Sequence, residues 1–284
     1  MDNIDIVALQ NKILEIAVYL DEFCKKYDIT YYLMGGSALG AMRHQGFIPW
    51  DDDYDVFMTY DNYIKFIENA KKYLDSEHFY LQEENTNEWP MFFTKLRMNR
   101  TTFIEVNTQN KKMHQGVYID IMCLNNVSEN KIYRYFQYLL ALLLTAQTLD
   151  KRGYKTNKSF KKKFAMLFAR VFVRGFIKRK LISFVRSLNK KETRSVGHFF
   201  GKAPFSKTSF LNVWLGEQRY VPFENTFLPV PQEAEKYLTL RFGDYMKIPD
   251  EKTKGEYPIH AKFVDLDRDY SDYEKNMKYE FKKR

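Results

Sequence analysis

The run Trp50-Asp51-Asp52-Asp53-Tyr54-Asp55-Val56-Phe57-Met58 puts four carboxylates within five residues and encloses them in aromatic and apolar side chains. Carboxylates at that density repel one another unless cations neutralise them. The flanking Trp50, Tyr54 and Phe57 argue against a freely solvated acidic turn. Residues 54–58 alternate as a strand does, and Asp53 and Asp55, two apart, would project from one face of it. Oxygen-only donors suit Mg²⁺ or Mn²⁺, so Asp51, Asp53 and Asp55 are candidate metal ligands. A calcium-binding loop starting at Asp51 is excluded, because its sixth position would be Val56 instead of Gly and its twelfth Asn62 instead of Glu.

A third element lies downstream in Val117-Tyr-Ile-Asp-Ile-Met122, where Val117, Ile119 and Ile121 share one face and Asp120 takes the other. A lone carboxylate in so apolar a strand is costly to bury without a partner. The expectation is a neighbouring strand that carries Asp120 beside Asp53 and Asp55, three carboxylates holding two cations around an in-line phosphoryl displacement. Upstream, residues 30–34 read as a strand entering a turn at Gly35-Gly36, with Ser37 capping a helix over 37–45. Glycines permit close approach to phosphate, and a helix start attracts anions, so Gly35, Gly36 and Ser37 are candidate phosphate contacts. Together these parts resemble the polymerase-β-like nucleotidyltransferase superfamily.

The longer segment GGSALGAMRHQGFIPWDDDYDVFM, residues 35–58, resembles the signature of the LicD family. So do Phe93-Thr-Lys-Leu-Arg97, Thr101 to Glu105, Gly116-Val-Tyr-Ile-Asp-Ile121, Phe227-Leu-Pro-Val-Pro231, Phe242-Gly-Asp-Tyr-Met-Lys-Ile-Pro249 and His260. The resemblance covers residues 28–125 and 215–262. It implies an α+β nucleotidyltransferase fold, a mixed sheet flanked by helices. It also implies transfer of phosphocholine, or a related phospho-alditol, from a CDP-linked donor to a sugar hydroxyl of a cell-surface glycan or its lipid-linked precursor, with release of CMP. CDP-choline is the favoured donor. Asp53 and Asp55 would bind metal, Asp120 would bind metal and take the acceptor proton, and Asp51 would add a ligand or hold a metal-bound water. Arg43, Lys95 and Arg97 could balance charge on the leaving nucleotide, each with plain surface charge as the rival reading. His260 could contact nucleotide or acceptor, or be structural. Trp50, with Tyr54 and Trp89, could cage a quaternary ammonium, although ordinary core packing is the favoured reading of these rings. Two other functions stay open: transfer of a nucleoside monophosphate from a triphosphate, and a peripheral membrane scaffold.

The rest of the chain frames that centre. An amphipathic helix is expected over 5–27, a further helix over 62–74 capped by Asp61, and strands over 78–82, 91–98, 101–107 and 116–122. Residues 130–190 read as helical, 195–230 as loop-rich, 231–241 as helix and the remainder as irregular. The division is a catalytic core over 1–128, a basic helical segment over 129–194, and a C-terminal region over 195–284 that completes the core.

Charge is uneven. Residues 151–191 hold 15 Lys or Arg and no acid, which leaves 30 basic against 36 acidic residues elsewhere. Lys161 to Lys180 reads as a basic amphipathic helix suited to an anionic membrane surface. No nucleic-acid motif accompanies it, so no nucleic-acid partner is expected. The apolar run from Tyr138 to Leu149 is too short to span a bilayer, and the start lacks the features of a signal peptide. A cytoplasmic protein, peripheral on the inner face of the cell membrane, is the expected location. Cys24 and Cys123, two thiols among apolar neighbours, form no disulfide framework.

Overall fold

The structure, a computed structural model, describes residues 4–105, 112–153, 159–201, 203–255, 257 and 259–273. Helix α1, Ile6–Lys26, starts where the Asp5 side chain accepts the Ala8 N–H at 3.0 Å. Its Leu9, Ile13, Ile16 and Leu20 are at most 1% exposed. Each such side chain contributes about 1.5–3 kcal/mol of hydrophobic stabilisation. The expected face is therefore the buried one, and it packs on the central sheet.

That sheet runs β1 (Tyr32–Leu33), β2 (Asp55–Thr59), β6 (Tyr118–Val127), β4 (Thr94–Met98) and β3 (Phe79–Gln82). Only β2 and β6 are parallel; the other neighbours are antiparallel. Val56, Phe57 and Met58 are consecutively buried in β2, as befits a strand covered on both faces. The covering helices include α2 (Gly35–His44) and α3 (Tyr60–Tyr73). Helix α3 begins two residues before the expected start, with Thr59 at its cap and Asp61 inside its first turn. Strand β5 (Thr102–Glu105) occupies part of the expected 101–107; positions 106–107 lie outside the described residues.

Three helices follow β6: α4 (Lys131–Gly153), α5 (Phe160–Phe172) and α6 (Gly175–Val185). The single basic helix expected over 161–180 is thus two, broken at Val173–Arg174, where Val173 caps one helix and Arg174 the next. The three helices share a core of their own, in which Ala141, Leu144, Ala169, Val173 and Val185 pack with Val127, Phe92, Phe199 and Phe200.

The C-terminal region is more regular than expected. Strand β7 (Ser195–Gly197) pairs with the far end of β6 and with β8 (Ser209–Leu211). Strands β9 (Arg219–Phe223) and β10 (Thr226–Val230) form a hairpin, which precedes α7 (Ala234–Phe242) and the short α8 (Glu251–Gly255). Strand β11 (Ala261–Asp265), expected as irregular tail, pairs antiparallel with β5. Short strands with single alternations, such as β7 and β8, leave too weak a periodic signal to separate from loop. Both cysteines are buried and free. Among the described residues no helix is long and apolar enough to cross a membrane.

Candidate active site

Register gathers the predicted residues. Asp55 and Asp120 are partners across the parallel β2–β6 pair, and Lys95 is the partner of Asp120 across β6–β4. Adjacent strands lie about 4.8 Å apart, so three ionisable side chains cross the sheet in one row. The Asp120 N–H donates to the Tyr54 carbonyl at 2.9 Å, which locks this register at its start. Asp53 sits just ahead of β2.

The loop carrying Asp51 to Asp53 is held from two sides. Gln10, a polar residue on the buried face of α1, donates to the carbonyls of Ile48 at 3.1 Å and Asp51 at 2.9 Å. Asp52 is only 2% exposed. Its carboxylate accepts the backbone N–H groups of His260 (2.8 Å) and Ala261 (2.7 Å) and meets His260 Nδ1 at 2.9 Å. Asp52 therefore anchors the entry to β11. His260 Nδ1 also stands 3.5 Å from Asp53 Oδ2. The hydrogen bond to Asp52 lifts the His260 imidazole to about 9 against the opposing effect of burial, and the Asp53 charge adds to the lift. His260 joins the site as a cation.

The remaining carboxylates are under electrostatic load. Burial, then the charges of Asp53, Asp120 and Asp51, push Asp55 well above the usual carboxylate range, with Lys95 opposing. Burial and then Asp53 raise Asp51 to about 8. Burial raises Asp120 to about 6, with Lys95 holding it back. Among the described residues, no three acidic, histidine or cysteine side chains are posed to hold one metal ion as they stand. The candidate ligands nonetheless offer only hard oxygens, Asp55 and Asp120 are in register, and Asp51, Asp55 and Asp120 are disfavoured as free anions, which is a load a divalent cation would relieve.

The glycines serve the carboxylates directly. Gly35 has φ +59°, a conformation that side chains rarely adopt, and a Cβ there would lie 3.2 Å from Asp55 Oδ2. A Cβ on Gly36 would come within 2.9 Å of Asp51 Oδ2. Helix α2 starts at Gly35 with Met34 at its cap, so Ser37 is not the cap expected from the sequence. Its hydroxyl instead accepts the Asp55 N–H at 2.7 Å, and the Gly35 N–H donates to the Tyr237 hydroxyl at 3.1 Å. These two groups are engaged within the protein; what the segment brings to the site is the positive end of α2.

The basic candidates separate. Lys95, 1% exposed, contacts Asp120 Oδ1 at 3.0 Å and Glu105 Oε1 at 2.9 Å, and lies over the Tyr118 ring. Arg97, equally buried, donates to Gln82 Oε1 (2.8 Å) and the Gly116 carbonyl (2.7 Å); burial lowers its guanidinium from its ordinary value. It is a structural cation behind Lys95, not a group presented to a nucleotide. Arg43 donates to the carbonyls of Tyr245 (3.0 Å) and Lys247 (3.2 Å), tying α2 to the segment after α7. The aromatic cage does not assemble. Tyr54, fully buried, packs against Phe47 and Phe223, and Trp89, 1% exposed, donates its indole N–H to the Phe93 carbonyl at 2.8 Å. Trp50 alone is partly exposed, with Lys254 Nζ 4.7 Å from its ring and Tyr257 edge-on.

Sequence reasoning missed Glu105, Gln10 and the anchoring role of Asp52. The polar position of Gln10 within an otherwise apolar helix face was the one available signal.

Residues 28–123 match the family model described as LicD/FKTN/FKRP, nucleotidyltransferase domain. The chain is 26% identical over 256 residues to the lipopolysaccharide cholinephosphotransferase LicD of Haemophilus influenzae, covering 88% of this chain and 95% of that one. An uncharacterized Rickettsia typhi protein shares 44% identity over 45 residues, 16% of this chain and 15% of that one. An uncharacterized Rickettsia prowazekii protein shares 25% over 119 residues, 42% of this chain and 41% of its own. The resemblance to the LicD family read from the motifs therefore holds.

Proposed function

We propose that this LicD-type chain is a transferase that moves phosphocholine from CDP-choline, or a related phospho-alditol from its CDP-linked form, to a sugar hydroxyl of a lipopolysaccharide-like cell-surface glycan or its lipid-linked precursor. Support comes from the Haemophilus relative, a cholinephosphotransferase matched over nearly its whole length. The observation that carries the reading is the row Asp55–Asp120–Lys95 across three adjacent strands, flanked by Asp51, Asp53 and His260. We read the core as nucleotidyltransferase-like on the same grounds.

In this mechanism the acceptor oxygen attacks the phosphorus that bears choline. The new P–O bond forms as the bond from that phosphorus to the bridging oxygen breaks, and CMP leaves. Asp120, raised to about 6 by burial and ion-paired with Lys95, is in the range to take the acceptor's proton near neutral pH. Lys95 holds Asp120 in place and returns it to charge balance after the proton moves on. Asp53 and Asp55, with Asp51 as a further ligand or support, would hold Mg²⁺ or Mn²⁺. When bound, such an ion supplies Lewis-acid neutralisation of the phosphate oxygens. Holding it would require the carboxylates to turn toward a shared point, which their mutual repulsion opposes and the attraction of a divalent cation would outweigh. The helix start at Gly35 and Gly36 adds a fixed positive end for the donor phosphates.

The test is incubation of the full chain with a panel of CDP-linked donors and Mg²⁺, measuring nucleotide products. CMP release that depends on both donor and divalent cation supports the reading. Pyrophosphate release from a nucleoside triphosphate, with none of the CDP compounds turned over, would replace it with nucleotidyl transfer.

A further inference from the structure

Helix α5 has two apolar faces, and among the described residues only one of them is packed within the protein. Met166, Ala169 and Val173 are at most 5% exposed, and Ala169 and Val173 join the small core shared with α4 and α6. Phe160, Phe164, Leu167, Phe168, Val171 and Phe172 recur at the helical steps of the opposite face. They stand between 43% and 83% exposed. The stripe continues on α6, whose Phe176 and Ile177 are 63% and 49% exposed. Scattered exposed apolar side chains are ordinary, but a contiguous stripe of this kind marks an interaction surface.

Its charge identifies the occupant. Lys162, Arg174, Arg179 and Lys180 are exposed on the same two helices. No acidic residue occurs between 151 and 191. A second copy of this face would set like charge against like. A nucleic acid would meet the cations but leave the phenyl rings without hydrocarbon to enter. An anionic bilayer satisfies both, since aromatic and aliphatic side chains enter the acyl boundary while basic side chains stay at the headgroups. We propose that the outer face of α5 and α6 docks this protein on an anionic lipid surface as a peripheral, non-spanning anchor. The helical unit leaves the sheet at the Val127 end of β6, opposite Asp120. Docking is therefore separable from the chemistry, and the two readings fail independently.

The experiment is flotation of the full chain with vesicles of phosphatidylcholine alone, and with about 30 mol% phosphatidylglycerol added to supply a negative surface. The protein should float with the anionic vesicles and lose most of that binding when salt screens the surface. The triple variant Phe164→Ser, Phe168→Ser, Phe172→Ser and the triple variant Lys162→Glu, Arg174→Glu, Lys180→Glu should each lower the bound fraction at least about tenfold, with unchanged thermal melting. Three results would overturn the proposal. One is wild-type protein that stays in the bottom fraction. Another is a serine variant that melts normally and still floats. The third is wild-type protein that binds RNA or forms dimers, lost in the serine variant, without binding either vesicle.

Discussion

The acidic mouth and the α4–α6 unit sit at opposite ends of β6, and they leave opposite things unsatisfied. At the mouth the backbone is fully organised. Gln10 fixes the loop, Asp52 fixes β11, and Ser37 ties α2 to β2. What remains is negative charge, with Asp51, Asp55 and Asp120 all pushed toward their neutral forms. At the helical end charge is dispersed and exposed, and what remains is apolar surface. Folding tolerates a local cost of either kind when a ligand relieves it. In the proposed function a cation and the phosphates it binds relieve the first kind, and in the proposed docking a hydrocarbon phase relieves the second.

The widest separation between the two regions should appear in catalysis. Asp120→Asn removes a carboxylate from the Asp55–Asp120–Lys95 row but leaves Lys95 paired with Glu105, so the fold should persist. Turnover of the CDP-linked donor should fall at least about a thousandfold, matching the several kcal/mol of charge stabilisation expected at such a centre. The triple serine variant of α5, assayed with a water-soluble acceptor, should keep wild-type turnover. Equal losses from both would mean that the helical unit belongs to the reaction centre.

A second break separates Asp52 from its neighbours. Four aspartates look alike in the sequence, yet Asp52 accepts two backbone N–H groups and a histidine ring while buried. Asp52→Ala would strand those donors, and unfolding in urea should show a loss of about 3 kcal/mol or more. Asp53→Asn, which removes part of the repulsion on Asp51 and Asp55, should leave stability unchanged or higher. The reverse ranking would make Asp52 the reacting group and Asp53 the anchor.

These assignments mark how far the sequence reaches. The pairing of Asp120 with Asp55 was legible because β-strand period 2 and the cost of a buried carboxylate act locally, on residues 53–58 and 117–122. The amphipathic face of α1 was legible for the same reason. Strand β11 was not, because its partner β5 lies far upstream and its capture depends on Asp52, which nothing local distinguishes from Asp51 or Asp53. The exposure of Lys95 and Arg97 was equally hidden, because alternation puts both on one face of β4 without saying whether solvent or Trp89 and Tyr118 cover it. In the helical unit, composition revealed the basic and apolar character, but only packing decides which apolar face of α5 is turned outward.

The two faces of α5 admit the finest test, with the smallest effect. Met166 and Phe168 are two residues apart on α5, one 5% and the other 43% exposed. Replacing each with alanine keeps helix propensity high in both variants, so any difference reports burial. Met166→Ala should cost about 2 kcal/mol, the lower end for truncating a buried methionine. Phe168→Ala should shift stability by no more than about 0.5 kcal/mol in the absence of lipid, as exposed substitutions do. Anionic vesicles should narrow the gap, because a surface that binds only the folded chain stabilises it with the logarithm of its affinity, and the Phe168 variant loses part of that affinity. A Phe168→Ala cost equal to that of Met166→Ala without lipid would mean that the outer face is already covered in solution. The two ends of β6 would then no longer differ in the kind of partner each requires.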